Sequence, residues 1–179
     1  MQCYTIQSPK EYEFNHELVQ SVAGNAWRTD WLYYMDHPII PWIEEQIPAA
    51  VCHLVGSNPN IMDSMAPRDY TMISGGGRGQ FNYNNFTVVS AWGIHYDNGQ
   101  GLVMHNHFPY ALSFVYMIND SPSPLILDNK EIPTVKQQLI IFPSHLDHCV
   151  RPDISHSRDI IAGNTVSYTH LTLPTKRIV

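Results

Sequence analysis

Cysteine is scarce in this chain. Cys3, Cys52 and Cys149 are odd in number and widely spread, and no Cys-x-x-Cys pair occurs. That argues against a disulfide scaffold, and it leads us to expect a reduced, cytoplasmic protein. Basic charge is also short, with 10 Lys and Arg against 16 Asp and Glu and a formal net charge of −6. A duplex nucleic-acid binder needs a Lys/Arg-rich face, and docking on anionic lipid needs the same, so neither partner is expected. No apolar run reaches the length that spans a bilayer, and the first residues, Met1-Gln2-Cys3-Tyr4, show neither the basic nor the apolar part of a secretion signal. The glycine-rich stretch Gly75-Gly76-Gly77-Arg78-Gly79-Gln80 is not followed by Gly-Lys-Ser/Thr, so it reads as a turn or lid and not as a phosphate cradle. Charged residues make up only 15% and hydrophobic ones 44%, enough for one globular domain with a core of its own.

The coarse pattern changes along the chain. Residues 14–27 are moderately amphipathic, and residues 41–55 begin with Pro41 and carry Glu44 and Glu45 early, so an N-terminal helical section is expected over 1–80, with Pro48 kinking or splitting the second helix. From Phe86 the chain favours β-branched and aromatic residues in short runs. Strands are expected at 86–92, 102–104, 111–118, 125–127, 138–142, 148–150 and 158–164, with Asn98-Gly99 as a hairpin signal. Many short strands with regular turns suggest a sandwich or barrel over 81–165.

Chemistry concentrates in that second half. His105 and His107 are one residue apart, and alternation along a strand points both side chains the same way. His148, in Phe142-Pro143-Ser144-His145-Leu146-Asp147-His148, can complete one face of a metal site. Neutral imidazole suits iron, zinc, copper and nickel, so the ligand type does not choose the metal. Ten residues on, Arg158 opens a strand. A guanidinium entering a barrel needs an anion, and its fork suits a carboxylate. The plain alternative is a surface Arg paired with Asp153 or Asp159. His16, His37, His53 and His156 read as surface or satisfied core groups, and Trp27, Trp31 and Trp42 as packing. His95 and Asp97 read as a turn pair, with a place beside the metal, or Asp97 as a ligand, as the less favoured choice.

Together, Ser90-Ala91-Trp92, His105-Asn106-His107, Ser113-Phe114-Val115-Tyr116, Ile141-Phe142-Pro143-Ser144 with His148, and Arg158 through Asn164 resemble the bacterial and phage family of 2-oxoglutarate/Fe(II)-dependent oxygenases. The likeness covers 86–165, and it departs from the family at Phe114 (Gly favoured there), at His145 (Trp favoured) and at Asp159 and Ile160. The resemblance implies a mainly β, α+β fold with a double-stranded β-helix (cupin-type jelly roll) behind the helical section. It further implies a hydroxylating dioxygenase in which His105, His107 and His148 hold Fe(II), Arg158 binds the far carboxylate of 2-oxoglutarate, and dioxygen is the second co-substrate. Two other readings stand beside it. One is a three-His metal-dependent dioxygenase that does not use 2-oxoglutarate, and the other is a non-catalytic binding or structural module. The primary substrate is not legible. Residues 166–179 resemble a translated transposon-type sequencing adapter, so the domain is expected to occupy 1–165 and the tail, with Lys176 and Arg177, to be non-native.

Overall fold

Period-two alternation sorts side chains to opposite faces of a strand, and here both faces of the main sheet are covered. The computed structural model describes residues 2–15, 17, 20–21, 26–58, 61, 86–152 and 156–167. In chain order the elements are β1 (Tyr4–Gln7), β2 (Gln20–Ser21), β3 (Trp27–Arg28), α1 (Ile39–Ser57), β4 (Phe86–Tyr96), β5 (Leu102–His105), β6 (Leu112–Met117), β7 (Leu125–Leu127), β8 (Lys130–Ile132), β9 (Gln138–Pro143), β10 (His148–Val150) and β11 (Arg158–Ser167). Seven strands form one antiparallel sheet in the order β1-β9-β6-β11-β4-β3-β2. Four form a second, β5-β10-β7-β8.

Among the described residues, neither sheet closes on itself. The larger ends on β1 and β2, the smaller on β5 and β8. This corrects the expectation of a double-stranded β-helix of the cupin kind: the fold is a mixed α/β arrangement of two open antiparallel sheets and a helix. The physical reason lies in the N-terminal segment, which supplies three strands where helix was expected. β1 pairs with β9, and β3 pairs with β4, so the large sheet grows outward at both edges. Among the described residues, 14–27 contain no helix; β2 and the start of β3 lie there instead. The glycine-rich stretch at 75–80 and residues 168–179 lie outside the described residues, while Val166 and Ser167 continue β11 opposite Thr87 and Phe86.

α1 buries Ile39, Ile43, Ile47, Ala50 and Leu54 along one stripe against the large sheet. It runs unbroken through Pro48. The missing proline N–H costs one helical hydrogen bond, and the apolar stripe, at roughly 1.5–3 kcal/mol for each fully buried isoleucine or leucine, outweighs it. The other face of the large sheet packs on the small one through Trp92, Ile94, Phe142 and Ile160, met by Leu125, Leu127 and Val150.

One irregularity sets which side chains face which layer. On β11, Asn164 stands opposite Ser90 but Thr165 stands opposite Val88, so Val89 is an extra residue in β4. A bulge of this kind inverts the alternation beyond it. Phe86 and Val88 therefore share the helix-side layer with Ala91, while Trp92, Ile94 and Tyr96 turn to the inter-sheet layer. Gly163 lies beside the bulge, where a Cβ would run into the Phe114 ring and the Ser90 carbonyl.

Candidate metal centre

His105 ends β5 and His148 begins β10, and the two are direct partners in the antiparallel pairing. His107 follows two residues after His105, and its backbone N–H donates to the Ser144 carbonyl at 2.8 Å. The three rings meet, with centroids 4.3 Å apart for His105 and His148 and 5.0 Å apart for each of the other two pairs. One ring nitrogen from each can be chosen so that all lie within 4.8 Å of one another. The cluster is a candidate metal centre. Local hydrogen bonds suit it. His105 Nδ1 lies 2.8 Å from the Val103 carbonyl and His148 Nδ1 3.2 Å from that of Leu146. A carbonyl can only accept, so each Nδ1 carries the proton and each Nε2 keeps its lone pair.

Burial favours neutral rings. It pushes His107 down to about 4, with nearby His105 adding to the effect. It pushes His148 down to about 3, with His105 and His107 adding and the Leu146 carbonyl opposing. Near neutral pH both are imidazole, the form that ligates a metal.

The three histidines line a cavity of about 410 Å3 between the sheets, walled by Trp92, Ile94, Leu125, Phe142 and Ile160. Trp92 packs beside His107, with ring centroids 5.8 Å apart. Arg28 and Trp31 also line this cavity. The Arg28 guanidinium lies over the Trp31 ring at 3.7 Å and donates from Nη1 to the Thr29 carbonyl at 2.8 Å. Burial lowers the guanidinium from its ordinary value and Asp30 opposes that; it stays a cation. Sequence reasoning passed over both residues, since Trp31 reads as core packing, whereas it is 46% exposed at the cavity. The available signal was the spacing Trp27-Arg28-x-x-Trp31, which offers a cation a ring to stack on.

Arg158 is 2% exposed, opposite Tyr96 in the β4–β11 ladder. It shares a face of β11 with Ile160 and Ala162, which line the cavity, but is not itself in the wall. Burial pushes the Tyr96 phenol up, with Arg158 opposing. Asp159 pairs with His95, not with Arg158: His95 Nδ1 lies 2.6 Å from Asp159 Oδ1, and His95 Nε2 lies 2.9 Å from Asp97 Oδ1. Asp97 is thus committed to the turn pair and supplies no metal ligand.

No protein-family model matches the chain, and no curated protein does. Solved structures do. A Pseudomonas putida prolyl-4-hydroxylase is similar at 12% identity and a TM-score of 0.50, over 86% of this chain and 79% of that one. A viral collagen prolyl hydroxylase from Paramecium Bursaria Chlorella virus-1 is similar at 12% identity and 0.49, over 82% and 81%. An oxidoreductase of the 2OG-Fe(II) oxygenase family from Burkholderia pseudomallei is similar at 12% identity and 0.42, over 47% of this chain and 45% of that one, so this chain spans under half its length. The likeness is distant and concerns the fold alone.

The site corrects the chemistry expected from the resemblance. The 2-oxoglutarate oxygenase centre uses two histidines and one carboxylate. Here the cluster is histidine only, and no Asp or Glu joins it among the described residues. The assignment as a 2-oxoglutarate/Fe(II)-dependent dioxygenase therefore falls, with Fe(II) and 2-oxoglutarate as its cofactors and 2-oxoglutarate with dioxygen as its co-substrates. Asp147, beside His148, is engaged elsewhere, accepting from Asn106 Nδ2 at 2.8 Å. No helix of the described residues is long and apolar enough to cross a membrane.

Proposed function

We propose that the chain is a metal-dependent oxidoreductase of the three-His type, the reading that needs no 2-oxoglutarate. One observation carries it: His105, His107 and His148 converge, with Nε2 left available on His105 and His148, at an apolar cavity large enough for a small molecule. Three neutral imidazoles form a donor set that suits a first-row divalent ion. Such an ion would supply a Lewis-acid or one-electron centre whose full charge the ligands leave uncompensated. The protein's own part is geometric. The β5–β10 ladder fixes His105 against His148, the Ser144 carbonyl fixes the His107 backbone, and Trp92 and Phe142 keep water from the inner side.

Titration of metal-free protein with Co(II), followed by its visible absorption, tests this. One ion per chain is expected, lost in His148→Ala, and 2-oxoglutarate should leave the spectrum unchanged. Absence of stoichiometric binding, or equal binding by His148→Ala, would refute the proposal.

A further inference from the structure

Resting on the three-His reading, we infer that the cavity takes a neutral, single-ring phenol, its ring against the aromatic wall and its hydroxyl at the histidines. The wall sets the first constraint. Its polar side chains are few, and the protein takes up most of them. Ser113 Oγ donates to Asn164 Oδ1 at 2.8 Å and lies 2.7 Å from Ser144 Oγ. The Tyr96 hydroxyl is buried and presents almost no accessible surface. Arg28 is engaged by the Thr29 carbonyl and the Trp31 ring, and Asp30 acts on it. The guest need not bring a charge, and an ion entering this space would shed its hydration against a largely aliphatic and aromatic surface.

The histidines set the second constraint. With Nδ1 of His105 and of His148 turned to the carbonyls of Val103 and Leu146, each ring keeps a lone pair on Nε2. Those atoms accept and do not donate, so the group that suits them carries an O–H. With an ion on the three rings, the same end of the cavity favours the oxygen of that group. Aromatic side chains flank the histidines. The Phe142 ring centroid lies 4.9 Å from that of His148, the Trp92 centroid lies 5.8 Å from that of His107, and Trp31 meets Trp92 edge-on at 4.7 Å. Offset and edge-to-face contacts with such rings favour an aromatic body over an aliphatic one. The volume of about 410 Å3 suits a molecule of one ring and a short substituent.

Four probes separate the features: phenol, anisole (the ring without the O–H), cyclohexanol (the O–H without the aromatic ring) and benzoate (the ring with a charge). Their binding to metal-free protein in EDTA, at mildly alkaline pH where histidine is neutral, is read by calorimetry and by NMR of the imidazole nitrogens. Phenol is expected to bind tightest, about tenfold tighter than anisole. It should shift Nε2 of His105 or His148, and anisole should not. His105→Phe or His148→Phe, according to which ring shifts, should erase the preference, and Arg151→Gln, at an exposed ion pair with Glu131, should leave it intact. Binding of phenol no tighter than that of any other probe, or no binding at all, overturns the inference. So does a preference for phenol with no shift at either Nε2. Because no metal is present, the outcome is separate from the Co(II) titration. Co(II) binding without a preference for phenol sinks this inference alone, and a preference for phenol without Co(II) binding sinks the three-His reading and leaves the phenol site standing.

Discussion

Ser144 serves His107 with its backbone while its side chain is tied to Ser113. The Ser144 carbonyl accepts from the His107 N–H at 2.8 Å, and the Ser144 hydroxyl lies 2.7 Å from that of Ser113. Ser113 donates to Asn164 Oδ1 at 2.8 Å, and Asn164 Nδ2 donates to Ser90 Oγ at 3.3 Å. All four side chains are buried. A polar ladder thus crosses β4, β11, β6 and the end of β9 and finishes at a candidate metal ligand.

Asn164→Ala should destabilise the protein by about 1–3 kcal/mol, since it leaves the Ser113 and Ser90 hydroxyls without the partner they share. Urea unfolding measures this. Co(II) affinity should weaken as well, because the ladder holds the carbonyl that positions His107. An unchanged midpoint would show that the ladder is not holding the sheet.

Gly163→Ala should cost about 1–3 kcal/mol by overpacking. The Cβ meets the Phe114 ring, which can tilt, and the Ser90 carbonyl, which is held in the β4–β11 ladder. A Gly163→Ala, Phe114→Leu double variant should recover only part of the loss in thermal unfolding, because the backbone clash persists.

Acid should destabilise the metal-free protein. His107 and His148 have folded values of about 4 and about 3, below the 6.5 of an unfolded histidine, so between those limits the unfolded chain binds more protons. Stability from these groups is full above about pH 6.5 and falls as pH drops through the folded values, by a few kcal/mol in total on the order-of-magnitude scale of the shifts. His95 runs the other way. Burial works to lower its value, but hydrogen bonds to Asp159 and Asp97 outweigh it and raise the net value. Its contribution is full below the unfolded value and is lost as pH rises through the folded one. Denaturant midpoints from pH 3.5 to 8 should therefore rise with pH overall, and His95→Gln should steepen the rise.

Ile43→Ala should cost about 2–5 kcal/mol, because the side chain is fully buried between α1 and the large sheet. Co(II) binding by the variant, once folded, should be unchanged, since the histidines lie on the other side of that sheet. A large change in metal affinity would mean that the helix layer shapes the site.

Much of the second half was legible in the sequence. The seven strands expected from Phe86 onward are present, several longer than expected, because β-branched and aromatic runs between turn residues are a local signal. The ends of β4 and β11 and the short β8 were not legible, since pairing partners decide where a strand stops. Ser113 and Tyr116 are three apart and so fall on opposite faces of β6: Ser113 lines the cavity and Tyr116 packs in the helix-side layer. The motif residues Ser113, Ser144 and Asn164 carried the family resemblance, yet here they form a structural ladder, a role that spacing does not reveal.

The sequence by itself determined the strand-rich second half, a helix around residues 41–55 and the three histidines as the chemically distinctive set, because residue type and short-range periodicity encode these locally. Only the tertiary structure decided that the N-terminal segment adds strands to both edges of an open sheet, that no carboxylate among the described residues joins the histidines, and that Arg28 shares their cavity while Arg158 lies outside its wall. Each of these depends on residues far apart in the chain meeting in space, and such contacts follow from long-range packing and register, not from the local alternation that a sequence displays.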